Sequence, residues 1–213
     1  MKNVRACPFL HIGMVVLSVL ALAGLPKQAG AGENDKKFEF DLVRSPALNT
    51  SPNCVPDAEG DATIQQKGPV EILKVEVEGL PPKTDFDFFV IQQPNGPFGM
   101  SWYQGDIDTD ENGEGHGRFI GRFSIETFVV APGSVDAPLT FEDTPNPSVS
   151  PNPKTGPIQM YHLGLWFNSP DDAVNAGCPA GHTPFNGEHD AGPQVLNTSN
   201  FDNLQGPLIN VGP

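Results

Sequence analysis

Carboxylates recur at alternate positions in one short stretch of the chain. Asp106, Asp108 and Asp110 are followed by Asn112, and a glycine comes directly after that asparagine. Alternate side-chain oxygens can face a single centre, and hard oxygen ligands on a tightly turning loop are what Ca²⁺ requires in proteins. These four residues are therefore the first candidate metal site, with Ca²⁺ as the expected ion.

The same stretch can also be interpreted as an ordinary β-hairpin. From Asp108 onwards the order Asp-x-Asp-x-Asn-Gly matches the first half of an EF-hand loop, but the twelfth position is Phe119 instead of a bidentate Glu. Asn112-Gly113 supplies residues that tolerate positive φ in a tight turn. We therefore expect a hairpin and not an EF-hand, and the sequence favours the bare hairpin over one that holds Ca²⁺.

A second group of candidate metal ligands follows Cys178. His182, Glu188, His189 and Asp190 could supply a mixed nitrogen and oxygen site for zinc or another transition metal. They lie in a Gly/Pro-rich loop and lack the i, i+4 spacing of helical metal motifs. The sequence favours the alternative, a loop whose polar side chains bond to its own backbone.

Several common catalytic motifs are absent from the sequence. There is no G-x-S-x-G, no glycine-rich phosphate loop and no H-E-x-x-H. His116 could join the acidic stretch, and His162 is expected at the edge of the core. A pair of the many carboxylates could hydrolyse a glycosidic bond, but the sequence does not single out a pair.

The first 31 residues have the order of a secretory signal peptide. Lys2 and Arg5 precede an apolar run at residues 13–25, and the small residues Ala29-Gly30-Ala31 form a cleavage site. The apolar run is too short to cross a bilayer. We expect cleavage after Ala31 and a secreted protein, extracellular or periplasmic, with a single domain at residues 32–213.

Export determines how the cysteines and the charge are interpreted. Cys54 and Cys178 follow the cleavage site, and two cysteines in an oxidising compartment predict one disulfide. The formal net charge is −14, and loss of the three basic residues of the signal peptide, with no acidic one, makes it −17. This charge disfavours nucleic acid and anionic membranes as partners.

Short apolar segments, with 23 glycines and 23 prolines, indicate an all-β domain. We expect an Ig-like or jelly-roll-like β-sandwich with long Pro/Gly-rich loops. Period-two alternation predicts strands at residues 38–42, 70–80 and 85–91, and one long strand or a pair of strands at residues 117–130. Further strands are predicted at residues 100–103 and, from a strongly apolar run, at residues 158–167. The adjacent Ile72 and Leu73 interrupt the alternation and suggest a bulge. Residues 45–68 are predicted to form a loop around Cys54, and the proline-rich residues 131–157 a long functional or mobile loop.

One short helix is predicted near residues 170–176. Ser169 can cap it, Pro170 suits the first helical position, two acids follow, and Gly177 can end it. The N-terminus at residues 32–37 is expected to be loose. The C-terminal tail is expected to be rich in loops, with a possible edge strand at residues 207–211.

The run VEVEGLPPKTDFDFFV resembles the corner between the fifth and sixth strands of fibronectin type III-like sandwiches. In that family a Gly-Leu-x-Pro-x-Thr-x-Tyr run carries the chain from one sheet to the other. Leu80, Pro82 and Thr84 match this run, and Phe86 stands in place of the tyrosine. The resemblance covers 16 residues and implies a sandwich, with no function attached.

The sequence as a whole favours a non-catalytic binding or interaction module that calcium could stabilise. Its partner would be an extracellular protein or polysaccharide. The alternative is a secreted hydrolase, metal-dependent or using a carboxylate pair, that acts on an extracellular polymer. Alternating apolar residues are predicted to share one core: Val75, Phe86, Phe88, Val90, Phe119, Phe123, Ile125, Leu163 and Leu165.

Overall fold

The computed structural model describes residues 36–127, 157–184 and 190–211, all within one unit of the chain, Asn34–Pro213. The chain is mostly β, as predicted. The strands of the main sheet are β1 (Lys37–Arg44), β2 (Glu59–Lys67), β3 (Val70–Glu78), β4 (Asp85–Ile91), β5 (Ser101–Asp108), β6 (Gly115–Gly121), β9 (His162–Phe167) and β12 (Gln194–Asn197). Two short pairs join β7 (Ile125–Thr127) to β8 (Pro157–Gln159) and β10 (Thr183–Pro184) to β11 (Asp190–Ala191).

The eight main strands form one antiparallel sheet in the order β5-β4-β9-β12-β1-β2-β3-β6. Its two outermost strands, β5 and β6, are consecutive in the chain, and a bridge between Thr109 and Gly115 closes the turn that joins them. The sheet therefore curves back on itself and comes close to a barrel. The turn at residues 79–84 connects β3 to β4, which are not neighbours in the sheet.

The predicted core is confirmed for most of its members. Val75, Phe86, Phe88, Val90, Phe123, Leu163 and Leu165 are buried in one cluster. Phe119 is half-buried and packs against this cluster, with its ring stacked on Phe88 at 5.4 Å between ring centroids. Ile125 is only half-buried and lies outside the cluster, because β7 pairs with β8 and not with the main sheet.

The predicted bulge in β3 is wrong. Pairing with β2 and β6 runs through Ile72 and Leu73 without a shift of register. The alternation continues because Glu71, and not Ile72, occupies the inward position, and Glu71 is only 1% exposed. Its carboxylate accepts hydrogen bonds from the backbone nitrogens of Phe123 (2.6 Å) and Ser124 (3.0 Å) and from the Ser124 hydroxyl. A buried carboxylate thus takes a place where the sequence pattern suggested an apolar residue.

Residues 45–68 are not the single loop that was predicted, because β2 occupies nine residues of the range. The inward residues of β2 are Gly60, Ala62 and Ile64, and all three are buried. Two of them are small, so the apolar side of this strand is too weak to be recognised by hydropathy. A 3₁₀ helix, Pro46–Leu48, precedes the turns around Cys54.

One predicted strand is interrupted, the segment from Gly117 forms the pair of strands expected as one alternative, and one strand is longer than expected. The segment at 158–167 divides at Met160 and Tyr161 into β8 and β9, and the segment from Gly117 divides into β6 and β7. β5 extends five residues beyond Tyr103, to Asp108. The proline-rich residues 131–156 lie outside the described residues, as do the signal peptide and most of the predicted loose N-terminus.

The predicted helix is confirmed as α1 (Pro170–Asn175). The hydroxyl of Ser169 accepts a hydrogen bond from the Asp172 nitrogen at 3.2 Å, and Gly177 takes a φ of +76° just beyond the helix. The predicted edge strand at 207–211 is wrong: a 3₁₀ helix, Pro207–Asn210, occupies this position. Among the described residues, no helix has both the length and the apolar character that crossing a bilayer requires.

The C-terminal tail contains a strand of the main sheet that the sequence did not indicate. All four residues of β12 are buried, and the strand lies between β9 and β1. Its ends are the polar Gln194 and Asn197, so no period-two pattern is visible in the sequence. The disulfide between Cys54 and Cys178 is present, with 4.7 Å between the two Cα atoms, and it ties the residues after α1 to those after β1.

Candidate functional site

Four aspartates lie together on one outer face of the sheet. In the register of β4 and β5, Asp85 is directly opposite Asp108, and Asp87 is directly opposite Asp106. Residues directly opposite one another in a ladder point to the same side of the sheet. We call this group of four residues the carboxylate face.

The apolar residues of the two strands determine which way the aspartates point. Phe86 and Phe88 on β4 and Ile107 on β5 are buried in the core. Successive side chains of a strand point to opposite sides, so the aspartates between them must lie on the outer side. Because the sequence expectation ended β5 at Tyr103, it placed Asp106 and Asp108 in a loop and did not pair them with β4.

The carboxylates of this face differ in their access to solvent. Asp106 and Asp108 are exposed, Asp85 is half-buried, and Asp87 is only 1% exposed. Asp87 lies between Asp106 and Trp166, its register partner on β9. The face therefore has two exposed carboxylates on β5 and two more buried ones beside them on β4.

The electrostatics of the face follow from burial and like charge. Partial burial, together with the negative charges of Asp106 and Asp108, raises the pKa of Asp85 to about 6. The Tyr103 hydroxyl donates a hydrogen bond to Asp106. Burial, this hydrogen bond and the nearby carboxylates together raise the pKa of Tyr103. The binding of a proton or another cation to this face is therefore electrostatically favourable.

Aromatic rings border the carboxylate face. Phe89 contacts Tyr103 with 5.9 Å between ring centroids and Trp166 with 5.1 Å, and both contacts are edge-on. Phe98 covers Trp166 from the other side at 5.2 Å. Tyr103 is 41% exposed and is the member of this group most accessible to a ligand. An exposed aromatic ring beside acceptor oxygens can stack on a ligand while the carboxylates bind its polar groups.

The other two residues of the first candidate metal site, Asp110 and Asn112, have a different role in the structure. The Asp110 carboxylate accepts hydrogen bonds from the backbone nitrogens of Asn112 (2.7 Å) and Glu114 (3.1 Å). These bonds, that of Glu114 first, lower the pKa of Asp110. Asp110 thus holds together its own turn, whereas Asp106 and Asp108 lie on the strand before it.

The second candidate metal group can be placed only in part. His182 Nδ1 lies 3.4 Å from Asp190 Oδ2, and both side chains are more than half exposed. His182 directly precedes β10, and Asp190 is the first residue of β11, which pairs with β10. Glu188 and His189 lie outside the described residues, so this candidate site stays a prediction.

A further acidic surface, which the sequence analysis did not identify, crosses β1, β2, β3 and β6. Asp41, Asp61, Glu76 and His116 are successive register partners across these four strands. Glu59 and Glu78 form an additional like-charged pair. The Glu59 carboxylate, through a hydrogen bond and its charge, raises the pKa of Glu78. This surface includes a cleft of about 310 Å³.

His116 lies on this surface, opposite Glu76, and not on the carboxylate face. The sequence analysis could not identify this surface, because it did not predict β2, the strand that places Asp41 and Glu76 on either side of Asp61.

Within the part of the chain that the structure describes, no three His, Cys, Asp or Glu side chains converge closely enough to hold a metal ion. No protein-family model matches the chain, and no curated protein is similar to it in sequence. Arguments about function therefore rest on the geometry of the chain itself.

Proposed function

We propose that this protein is an exported, non-catalytic binding module and that the carboxylate face is its binding surface. The proposal is carried by two pairs of like-charged cross-strand partners, Asp85 with Asp108 and Asp87 with Asp106. Like charges directly opposite one another destabilise a sheet. A fold that keeps two such pairs side by side gains stability when a cation occupies the face.

Ca²⁺ is the cation that suits these donors. All four residues offer hard carboxylate oxygens, which Ca²⁺ prefers and which suit zinc less well. Asp106 and Asp108 are exposed, so their side chains can rotate towards the less mobile Asp85. Binding would then bring at least three of these carboxylates to one ion, a convergence that the described residues do not show without the ion. Asp110 and Asn112 would support the site by fixing the turn that follows Asp108.

The ligand beyond the cation would be an extracellular protein or polysaccharide. Tyr103 offers an exposed ring next to the cation position, and the carboxylates accept hydrogen bonds. Export is supported by the residues of the N-terminal segment and by the disulfide, which suits an oxidising compartment. The acidic surface across β1, β2, β3 and β6 adds to the charge that disfavours nucleic acid.

We also propose that the near-barrel is best described as a sandwich with a shared strand. β1 pairs with β2 over Lys37–Leu42 and with β12 at Val43 and Arg44, so the sheet turns a corner near the end of β1. One layer would be β1-β2-β3-β6 and the other β12-β9-β4-β5. The turn at residues 79–84, which resembles the fibronectin type III corner, would pass from the first layer to the second.

The test of calcium binding is a set of thermal melts of the full chain with millimolar Ca²⁺ or with a chelator. A cation that binds only the folded state at a hundredfold excess over its dissociation constant adds about 2.7 kcal/mol of stability. The variant D85N/D108N should lose this increase. E59Q/E78Q, which removes a cross-strand carboxylate pair from the other surface, is the matched control and should retain it. Equal melting temperatures in both buffers for the native sequence would refute calcium binding.

A carboxylate-pair hydrolase is the second candidate function. The observation in its favour is Asp85, whose pKa of about 6 lies close to the pH at which a general acid works best, beside the carboxylates Asp106 and Asp108. Hydrolysis of a panel of polysaccharides, with a rate that D85N reduces by at least a hundredfold, would favour this function over binding. Binding of a polysaccharide without turnover would exclude it.

A further inference from the structure

His162 is completely buried, yet both of its ring nitrogens bond to a segment outside the main sheet. Nδ1 lies 2.8 Å from the Thr198 hydroxyl, and Nε2 lies 2.9 Å from the Asn203 carbonyl oxygen. A carbonyl oxygen can only accept, so Nε2 carries the proton. Thr198 donates to Nδ1 and also accepts from the Leu163 nitrogen at 3.3 Å. The imidazole in this tautomer is neutral and fully bonded.

The segment that His162 holds is residues 198–211, which follows β12. Other hydrogen bonds between this segment and the rest of the described chain join Ser199 to the Asn197 side chain at 3.0 Å, Asn200 to the Asp41 carbonyl at 3.3 Å, Asn203 to Gln93 at 3.4 Å and Leu208 to Tyr161 at 3.2 Å. Three apolar residues anchor the segment to the core: Leu208 and Val211 are part of the core cluster, and Phe201 packs against it. Phe201 packs edge-on against Phe40 with 6.3 Å between ring centroids.

We propose that His162 acts as an acid-sensitive clasp, which holds residues 198–211 on the sheet at neutral pH and releases them as the pH falls. A protonated imidazole has two donors and no acceptor, so the Thr198 hydroxyl would have to rotate and accept from Nδ1, and its own proton would lose the acceptor that it has in the neutral state. The added charge would also lie in a fully buried position. Release of the segment lets solvent reach the ring without dismantling the eight-stranded sheet.

Among the described residues, the influences on the pKa of His162 are burial and backbone hydrogen bonds, with no charged side chain among them. β4 presents Ile91, its register partner, and the turn before β9 presents Tyr161. The segment itself presents backbone groups of Thr198, Asp202 and Asn203. Burial lowers the pKa of His162 from 6.5 to about 4, and these backbone hydrogen bonds offset only part of the effect. Gly206 completes the enclosure, since a Cβ there would lie 2.7 Å from the His162 ring.

The release has a calculable pH dependence. A free imidazole with a pKa of 6.5 competes with a held one of about 4. The equilibrium constant for opening the segment should therefore rise on the order of 100-fold between pH 7.5 and pH 4. Opening would expose apolar surface around Leu208, which is fully buried when the segment is closed. The exposed surface is a specific consequence that a change of charge alone would not produce.

Amide hydrogen exchange of the full chain, expressed as protection factors at pH 7.5 and pH 4, tests this proposal. In the native sequence the protection of residues 198–211 should fall on the order of 100-fold relative to that of β2 and β3. His162→Gln, a neutral side chain that can both donate and accept, should abolish this pH dependence. His116→Gln, which removes an exposed histidine on β6, is the matched control and should leave it unchanged.

Equal pH dependence of protection in the native sequence and in His162→Gln would overturn the proposal, as would a simultaneous loss of protection in β2 and β3. If His162→Gln does not fold, the native chain still decides the matter. The ring protons of His162 should titrate well below pH 6.5, together with the loss of protection at residues 198–211. A ring that titrates while the segment stays protected would also overturn the clasp.

Discussion

The carboxylate of Glu71 joins two parts of the chain that are 52 residues apart. It lies at the inward position of β3 and accepts hydrogen bonds from the residues that follow β6. Arg122 Nε is 3.7 Å from the same carboxylate. These contacts fix the course of the chain where it leaves the main sheet. The sequence pattern of β3 could not reveal this role, because the partners are backbone groups brought near only by folding.

Replacing Glu71 with Gln should destabilise the protein by about 1–2 kcal/mol, because the hydrogen bonds from Phe123 and Ser124 lose their charged acceptor and an amide NH2 group would face Arg122 Nε. Urea denaturation at neutral pH measures the change. Glu76→Gln on the same strand is the control: Glu76 is exposed, so its replacement should leave the unfolding free energy unchanged or slightly higher. Equal midpoints for the native sequence and Glu71→Gln would show that the buried hydrogen bonds contribute no stability.

Phe123 is the other residue of this region whose removal should be costly. Its side chain is 1% exposed and lies in the core. Phe123→Ala should reduce the unfolding free energy by about 3–5 kcal/mol through lost burial and a remaining cavity. Ile120→Ala, at a position that is 57% exposed, should change it by less than about 0.5 kcal/mol. A Phe123→Ala protein with an unchanged melting temperature would contradict the position of this ring in the core.

At the scale of elements, strands with a strong apolar side were predictable and strands with a weak one were not. β4 matches its predicted bounds because Phe86 and Phe88 alternate with the polar Asp85 and Asp87 and an apolar run follows them. β2 was missed since its inward positions include Gly60 and Ala62. β12 was missed since it is buried on both sides and ends in polar residues. Hydropathy depends only on the type of each side chain. The burial of a strand depends also on its position in the sheet, which hydropathy does not contain.

The candidate site, like the strands, depends on sheet pairing that the local sequence does not contain. The residue types at Asp106 and Asp108 pointed to cation chemistry, and both residues lie on the carboxylate face. Their partners Asp85 and Asp87 were recognised only as outward residues of another strand. The pairing of β4 with β5 depends on the register shift between Phe88 and Phe89 and on the length of β5. Neither can be obtained from the local sequence around the aspartates.

The short helix gives a test of local structure that the sequence did predict. Ser169→Ala removes the acceptor for the Asp172 nitrogen and the donor to the Asp172 carboxylate, at 2.6 Å. Loss of an N-cap of this kind should cost about 1 kcal/mol. Chemical denaturation measures it, and Ser169→Asn, which keeps a capping oxygen, should recover most of the loss. An Ala variant as stable as the native sequence would mean that the disulfide at Cys178 alone holds α1 in place.

At the scale of the whole molecule, like-charged cross-strand pairs occur on both outer surfaces near the same turns. Asp85 and Asp108 lie at one side of the turns at residues 79–84 and 109–114, and Glu59 and Glu78 lie at the other. Contacts between the two turns, such as the Lys83 nitrogen to the Asp110 carbonyl at 3.0 Å, hold this end together. Fold stability is therefore coupled to the charge state of this acidic end.

The pH dependence of stability should have a definite sign for Asp85. Its pKa is raised in the folded protein from 3.8 to about 6, so the folded state binds a proton more readily than the unfolded state. The carboxylate therefore costs stability above pH 6, and this cost disappears as the pH falls from 6 towards 3.8. D85N should be more stable than the native sequence at pH 7.5, and the difference should vanish near pH 4.

Chemical denaturation at several pH values measures this difference, and its dependence on pH separates Asp85 from His162. The lowered pKa of His162 acts in the opposite direction, since it reduces stability as the pH falls from 6.5 towards 4. Comparing D85N with the native sequence cancels the histidine contribution. A stability difference between the two that is the same at pH 7.5 and pH 4 would contradict the raised pKa of Asp85.

Calcium titration calorimetry on the full chain tests the proposed binding function most directly. We expect one Ca²⁺ per chain for the native sequence and for E59Q/E78Q, and no binding for D85N/D108N. That outcome would assign the ion to the carboxylate face and not to negative charge in general. The absence of calcium binding to the native sequence, or equal affinities for the two double variants, would contradict the account.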